Sequence, residues 1–199
     1  DEDKNFLSGL IATGDNDRND EDLNAWEGSM SDRALWQERA QSDPRAFRED
    51  LIGAFLGDRG ELHSAQQEAL DHLDEGKSVF AVMGTGRGKS LVFHIHAAEL
   101  ALAKQKPSLF VYPLRALVDD QEFHLTRTLG SFGMQIRVLT GASTPEERAA
   151  TMSGLARREI DIVLTTPEYL DIHAEEFAQA ASMGFVVIDE AHNVGTSKA

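Results

Sequence analysis

The sequence predicts an α/β fold: a mostly parallel sheet with helices on both faces, preceded by a small helical lead-in. From Leu62 onward, short apolar runs alternate with segments of helical periodicity, a spacing typical of strand–helix–strand units. Glycine-rich or polar turns separate these runs, as expected between regular elements. Because such crossovers are right-handed, the carboxyl ends of the strands should line up at one edge of the sheet. Ligands bind along that edge in open sheets.

The sequence divides the chain into three predicted segments. Residues 1–30 are predicted to be an acidic, flexible segment, because the run Asp15–Asp22 is almost entirely charged or amide. Residues 31–61 are predicted to be a helical lead-in, with Pro44 in a first helical turn and an apolar stripe after it. Its aromatic side chains are expected to be core or interface residues. Residues 62–199 form the third segment, which carries the α/β pattern.

The α/β segment contains five predicted strands, each a short apolar run that ends in a turn signal. They are Val79–Met83, Ser108–Tyr112, Gln135–Leu139, Ile160–Leu164 and Phe185–Ile188. Helical periodicity and capping residues predict helices around these strands. They are Ser64–Leu73 with Ser64 as its cap, a helix from the glycine-rich loop to Lys104, Leu114–Leu129, Pro145–Arg157 and Asp171–Ala181.

Composition excludes several classes of protein. The 199 residues include no cysteine, which excludes disulfides and cysteine-ligated zinc. The formal charge of −15 argues against a protein that coats nucleic acid through its net charge. No apolar run approaches the ~18 residues of a membrane span, and the acidic start does not resemble a signal peptide. A cytoplasmic location without membrane contact is therefore expected.

A glycine-rich segment, Met83–Ser90, lies between a predicted strand and a predicted helix. This is the context of a phosphate-binding loop, where glycines let backbone N–H groups approach a phosphate. Lys89 would place a positive charge on the outer phosphates, and the Ser90 hydroxyl would bind Mg²⁺. The amino end of the helix adds partial positive charge. An ordinary glycine-rich turn is the alternative.

A second motif, Asp189-Glu190-Ala191-His192, ends the apolar run Phe185–Ile188. An acidic residue that leaves a buried strand beside a phosphate loop is typical of a Mg²⁺ site, so Asp189 is the candidate that holds the ion through water. Glu190 is the candidate that orients or deprotonates the attacking water. The alternative is an acidic turn at a strand end.

Together, the two motifs resemble motifs I and II of superfamily 2 helicases of the DEAD/DEAH type, and most of all those of RecQ-like DNA helicases. Other segments of this sequence resemble further motifs in the same order. Leu62–Glu68 resembles the adenine-reading segment, Tyr112–Gln121 resembles motif Ia, and Thr165–Leu170 resembles motif Ib. The resemblance covers roughly residues 60–195. It implies a RecA-like lobe, the first of two lobes in an ATP-driven DNA translocase that serves DNA repair or recombination.

The resemblance also implies a role for particular residues. Gln66 would read adenine, and His192 would couple the nucleotide site to the rest of the enzyme. The remaining nucleotide-binding candidates, which share the phosphate loop, are Thr85, Gly86, Arg87, Gly88, Lys89 and Ser90. The candidates for contact with a single-stranded DNA track are Pro113, Arg115, Thr166, Pro167 and Glu168. Without the resemblance, Arg115 reads as a surface arginine and Thr166 as a helix cap.

The same resemblance implies ATP and Mg²⁺ as cofactors and a longer parent protein. The second lobe, with its arginine fingers, is expected beyond this sequence, so the 199-residue piece alone should hydrolyse ATP very slowly. Residues 1–60 could join a RecJ-type nuclease to the helicase. Two alternatives to a helicase are a regulatory ATP-binding module fused to a nuclease, and a phosphate-loop ATPase unrelated to nucleic acid.

Overall fold

The computed structural model describes residues 32–57, 60–82 and 88–191. Within these residues, helix α1 covers residues 32–42, and six further helices follow. They are α2 (Pro44–Leu56), α3 (Ser64–Asp74), α4 (Lys89–Lys104), α5 (Arg115–Leu129), α6 (Pro145–Ala156) and α7 (Pro167–Ala180). A short 3₁₀ helix, Gly130–Phe132, extends α5. The acidic segment predicted for residues 1–30 lies outside the described residues.

Four parallel strands form one sheet in the order β2-β3-β1-β4. The strands are β1 (Ser108–Val111), β2 (Ile136–Leu139), β3 (Ile162–Thr165) and β4 (Phe185–Ile188). They correspond to four of the five predicted strands. The predicted α/β class with a parallel sheet is therefore confirmed.

The two faces of the sheet carry different hydrophobic clusters, as the two-residue period of a strand requires. On one face, Phe110 and Leu164 belong to a cluster that includes side chains of α2, α3, α4 and α5. On the other face, Leu109 and Val163 pack in a cluster with side chains of α6 and α7. The neighbouring residues of one strand thus bury opposite faces, and helices cover the sheet on both sides, as predicted.

The lead-in helices pack directly on the first of these clusters. Trp36 of α1 lies 4.6 Å, centroid to centroid, from Phe132, and Phe47 of α2 lies 6.0 Å from the same ring. Arg33 adds a bidentate ion pair to the buried Asp161, with N–O distances of 2.6 and 2.8 Å. The aromatic side chains of the lead-in are therefore core residues, and α1 and α2 are anchored to the sheet.

The predicted strand Val79–Met83 is wrong over its described part. Residues 79–82 pair with no strand of the sheet, and Phe80 and Val82 are 82% and 83% exposed. An apolar run forms a strand only where a neighbouring edge accepts its backbone hydrogen bonds. The outer edge of β4, the nearest candidate in the strand order, pairs with no described residue.

Helix α7 begins at Pro167, four residues before the predicted start at Asp171. The Oγ1 atom of Thr166 accepts a hydrogen bond from the Tyr169 N–H, and Pro167 occupies the first turn, where its missing N–H costs nothing. The other predicted helices differ from the observed ones by one residue at most where both ends were predicted. Among the described helices, none combines the length and apolar character that a bilayer crossing requires.

His94 of α4 is a buried core residue that titrates abnormally. Its ring stacks between Phe55 and Phe110, with centroid distances of 5.7 and 5.8 Å. Burial, with a smaller contribution from the charge of His124, lowers the pKa of His94 to about 3 from its ordinary value of 6.5. Between these two values the unfolded chain binds a proton that the folded chain does not.

We therefore expect stability to fall as the pH decreases below about 6.5, because His94 protonates in the unfolded state first. From pH 7.5 to pH 5.5, this residue should contribute a loss of about 1.4 kcal/mol in the free energy of unfolding. Urea unfolding of the parent and of His94→Phe at both pH values measures the difference. Equal pH dependence of the two proteins would contradict the assignment.

Candidate nucleotide and nucleic-acid site

The described end of the phosphate-loop candidate lies at the amino end of helix α4. Gly88 has φ +68° and precedes Lys89 and Ser90, which are the first two residues of the helix. Thr85, Gly86 and Arg87 belong to the part of the loop outside the described residues. Helix amino ends present N–H groups without intrahelical partners and carry partial positive charge. Lys89 adds a full positive charge at this end of the helix, which already favours an anion.

Gln66 of α3 is hydrogen-bonded to this loop. Its side chain is buried, and the Nε2 atom donates to the Gly88 carbonyl at 3.0 Å. Its Oε1 atom accepts from the His63 N–H at 2.8 Å, which caps α3. A Cβ atom on residue 88 would lie only 2.6 Å from Gln66 Nε2. The backbone angle therefore favours glycine at position 88, and a Cβ atom there would also displace the Gln66 amide.

The cap of α3 differs from the prediction by one residue. Ser64 was predicted to cap the helix with Gln67, but Ser64 is already the first helical residue and His63 precedes it as the cap. The glutamine three residues after the cap is consequently Gln66. Gln67 instead faces outward and donates to Asp71 Oδ1 at 2.7 Å.

The residues that follow three adjacent strands lie side by side at the carboxyl edge of the sheet. The Tyr112 N–H donates to the Thr165 carbonyl at 3.0 Å, and the Asp189 N–H donates to the Val111 carbonyl at 2.9 Å. The order along this edge is therefore Thr166, Tyr112 and Asp189, with adjacent strands about 4.8 Å apart. The sequence motifs placed after these strands are brought together as predicted.

Tyr112 is a buried residue that lies close to Asp189 at this edge. Its side chain is buried, and its hydroxyl has no hydrogen-bond partner among the described residues. Burial raises the pKa of Tyr112, and the negative charge of Asp189 raises it further. Both effects favour the neutral form of the Tyr112 phenol. The segment that resembles motif Ia assigns Tyr112 no role of its own, and its residue type does not reveal that the hydroxyl is buried.

Glu190 has a left-handed backbone, with φ +49°. A residue other than glycine in this region costs roughly 1–3 kcal/mol, and such strain concentrates at functional sites. Asp189 and Glu190 are both partly buried at the end of β4. The turn thus places two consecutive carboxylates directly after the strand. His192, the third motif residue assigned a role, lies outside the described residues.

The nucleic-acid candidates lie at the amino ends of two helices on the same edge. Pro113 and Arg115 precede and begin α5; the Arg115 side chain is 62% exposed, and its nearest acidic partner is Asp119 at 3.8 Å. Thr166 caps α7, as the alternative interpretation expected, and Pro167 and the exposed Glu168 form its first turn. Two helix amino ends and a weakly paired arginine therefore face the same side.

Comparison with known proteins identifies the family. Residues 63–199 match the DEAD/DEAH box helicase family. The chain belongs to this family. The match begins at the cap of α3 and includes all four strands, so the helicase domain covers every candidate site residue. The predicted membership of the DEAD/DEAH helicases is confirmed.

Individual helicases are similar over the same region. An uncharacterized ATP-dependent helicase, YprA, of Bacillus subtilis (strain 168) is 27% identical over 154 residues, which are 72% of this chain and 20% of that protein. The ATP-dependent DNA helicase RecQ of Pasteurella multocida (strain Pm70) is 28% identical over 146 residues, 72% of this chain and 21% of that protein. The predicted RecQ-like relationship is therefore supported by a helicase of that name.

Solved helicase structures share the fold. The crystal structure of the DUF1998 helicase MrfA bound to DNA superposes with a TM-score of 0.61 and 24% identity, and covers 72% of this chain and 20% of that one. The helicase chain described here thus spans about a fifth of the length of the proteins it matches. A single RecA-like lobe accounts for this coverage.

Proposed function

We propose that the chain is the ATP-binding lobe of an ATP-dependent DNA helicase or translocase, which couples ATP hydrolysis to strand unwinding. The observation that carries the proposal is the hydrogen bond from Gln66 to the Gly88 carbonyl. It joins the residue proposed to read adenine to the residue that precedes Lys89. This hydrogen bond would therefore fix the distance between the residue that binds the adenine base and the loop that binds the phosphates.

The phosphates of ATP would lie on the loop that runs into α4. Lys89 would donate to the outer phosphate oxygens, with backbone N–H groups of Thr85, Gly86, Arg87 and Gly88 around them. The charge-assisted bond from a lysine to phosphate is among the stronger hydrogen bonds in proteins. An amide side chain carries both donor and acceptor atoms, the chemistry that suits the donor and acceptor pair of adenine.

The donor set also suits Mg²⁺, which prefers carboxylate and hydroxyl oxygens together with phosphate. Ser90 would offer its hydroxyl from the first turn of α4, and Asp189 its carboxylate from the end of β4. The Asp189 carboxylate would be balanced by the cation. When bound, the ion neutralises charge that develops on the phosphates during transfer. Glu190 would hold the attacking water and accept its proton.

DNA would cross the carboxyl edge of the sheet at Pro113, Arg115, Thr166, Pro167 and Glu168. The exposed Arg115 guanidinium fits a backbone phosphate, and the amino end of α7 adds N–H donors and partial positive charge. The Thr166 hydroxyl accepts from Tyr169 and retains its proton for a phosphate oxygen. Contacts of this kind read the backbone and not the base sequence, as a translocase requires. His192 would couple this track to the nucleotide.

Gln66→Ala is expected to abolish the preference for adenine. The variant loses a buried amide, so affinity for ADP with Mg²⁺ should fall about 5- to 30-fold while affinity for GDP changes little. Calorimetric titration with both nucleotides measures the ratio. Gln67→Ala is the matched control, because Gln67 lies one residue along the same helix and bonds only outward to Asp71. If Gln66→Ala kept the ADP-to-GDP ratio of the parent, its adenine-reading role would be wrong.

A further inference from the structure

The first half of the lead-in helix α2 takes part in a junction of charged side chains that lies away from the phosphate loop. Arg48 of α2 bonds Glu99 of α4 through Nε at 2.5 Å and Nη2 at 2.7 Å. The same guanidinium bonds Asp74 at the end of α3, through Nη1 at 2.9 Å and Nη2 at 3.0 Å. One side chain therefore holds the carboxylates of two other helices with four hydrogen bonds. This arrangement uses the planar fork of arginine fully.

His96 lies beside the junction and takes no part in its hydrogen bonds. Its Nδ1 atom is buried, has no hydrogen-bond partner among the described residues, and lies 3.8 Å from Asp74 Oδ1. Ligand atoms of Asp74, His96 and Glu99 lie within 4.8 Å of one another, a spacing that would suit a cation. The Arg48 guanidinium already holds both carboxylates. The positive charge that balances these carboxylates is thus supplied by Arg48, a residue of the lead-in.

Helices α3 and α4 are consequently tied at both ends. At their amino ends, Gln66 donates to the Gly88 carbonyl. Toward their carboxyl ends, Arg48 bridges Asp74 and Glu99. The two helices run side by side in the same direction, since residues near the same ends meet. Only the second tie depends on a residue outside the region that matches the helicase family.

We propose that Arg48 is a positioning residue for nucleotide selection, which holds α3 against α4 so that Gln66 stays in register with Gly88. This inference rests on the proposed function, because it assigns Arg48 a role through the adenine-reading Gln66. Gln66 and Asp74 are eight residues apart, about 12 Å along the helix. A tilt of roughly 5° at the Asp74 end therefore moves Gln66 by about 1 Å, and a 3.0 Å hydrogen bond does not survive that change.

Lys104 acts on Glu99 only through its charge, whereas Arg48 hydrogen-bonds both Asp74 and Glu99. The Glu99 side chain is 16% exposed, and burial raises its pKa, which Arg48 opposes by its hydrogen bonds and charge. Burial lowers the pKa of His96, and the positive charges of Lys104 and Arg48 lower it further against the effect of Asp74. Burial thus disfavours a positive charge on His96 beside the two carboxylates. Without Arg48, Asp74 and Glu99 should repel each other and separate the helices.

The test compares Arg48→Met with Arg39→Met in calorimetric titrations of ADP and GDP with Mg²⁺. Arg39 is the matched control, because it pairs with Asp50 inside the lead-in at a more exposed position. For Arg48→Met, we expect ADP affinity to fall about 3- to 10-fold and the ADP-to-GDP preference to fall with it. Arg39→Met should keep the parent ratio, and Arg48→Lys should lie between, since lysine retains charge without the fork.

A second variant keeps the test decisive if Arg48→Met unfolds. Arg48→Met combined with Glu99→Gln removes the unpaired buried charge and still lacks the bridge, so it should fold and show the same reduced preference. A folded variant with a lower melting temperature and an unchanged ADP-to-GDP ratio would overturn the proposal and leave Arg48 a structural residue. A parent chain without adenine preference would refute the Gln66 assignment instead, which separates the two failures.

Discussion

Replacing Lys89 with alanine is expected to weaken binding of ATP with Mg²⁺ by about 10- to 100-fold, the value of one charge-assisted hydrogen bond. Lys89 is the first residue of α4, where the helix end already favours an anion. The variant removes the point charge on the outer phosphates and leaves the backbone donors. Stability should change little, because Lys89 is a partly exposed residue at a helix terminus.

Lys104→Ala provides the control for this measurement. Lys104 lies at the opposite end of the same helix and is exposed, so its loss should leave nucleotide affinity within about twofold. Titration of both variants by calorimetry separates a local effect on phosphate from a general effect of charge. Equal affinities for the parent and Lys89→Ala would remove the phosphate loop from the proposed site.

Glu190→Gln should reduce ATP hydrolysis by about 10²- to 10⁴-fold, the contribution of a positioned general base. Glutamine has nearly the same shape and tolerates the backbone angle of +49° equally, so binding of ATP should stay within about threefold. The difference between binding and hydrolysis is the signature of a residue that acts in the chemical step. Single-turnover hydrolysis and nucleotide titration, on the longest natural polypeptide that contains these 199 residues, measure the two quantities.

Glu175→Gln is the matched control for this variant, since Glu175 is an exposed carboxylate on α7. It should leave both binding and hydrolysis unchanged. If Glu190→Gln weakened ATP binding as strongly as it slowed hydrolysis, Glu190 would be a structural element of the turn and not the base.

The sheet could be predicted where the apolar runs are buried by their neighbours. Strands β1 and β3 are buried on both faces by helices, whereas β4 packs Val187 into the first cluster and leaves Val186 and Ile188 49% and 47% exposed. The run at Val79 is similarly apolar, yet its described part pairs with no strand and exposes Phe80. Composition shows that a segment can form a strand, but pairing depends on an available edge. That edge is a property of the tertiary structure.

The candidate site was predictable as a set of residue types and not as a geometry. The order of the glycines and Lys89 in the chain, and the pair Asp189 and Glu190, are enough to predict a nucleotide site. The bond between Gln66 and Gly88 joins residues 22 positions apart, and the left-handed angle at Glu190 has no signature in its residue type. The role of Arg48 could not be predicted for the same reason, because its partners Asp74 and Glu99 are remote in sequence.

The most direct test is the rate of ATP hydrolysis with and without single-stranded DNA, measured on the longest natural polypeptide that contains this chain. A lobe that couples ATP to movement along DNA should hydrolyse faster when DNA is bound, and the stimulation should weaken as salt rises, because the proposed contacts are to phosphates. Arg115→Ala should reduce the stimulation more than the basal rate. ATP hydrolysis that does not respond to DNA at any salt concentration would contradict the proposed helicase or translocase function.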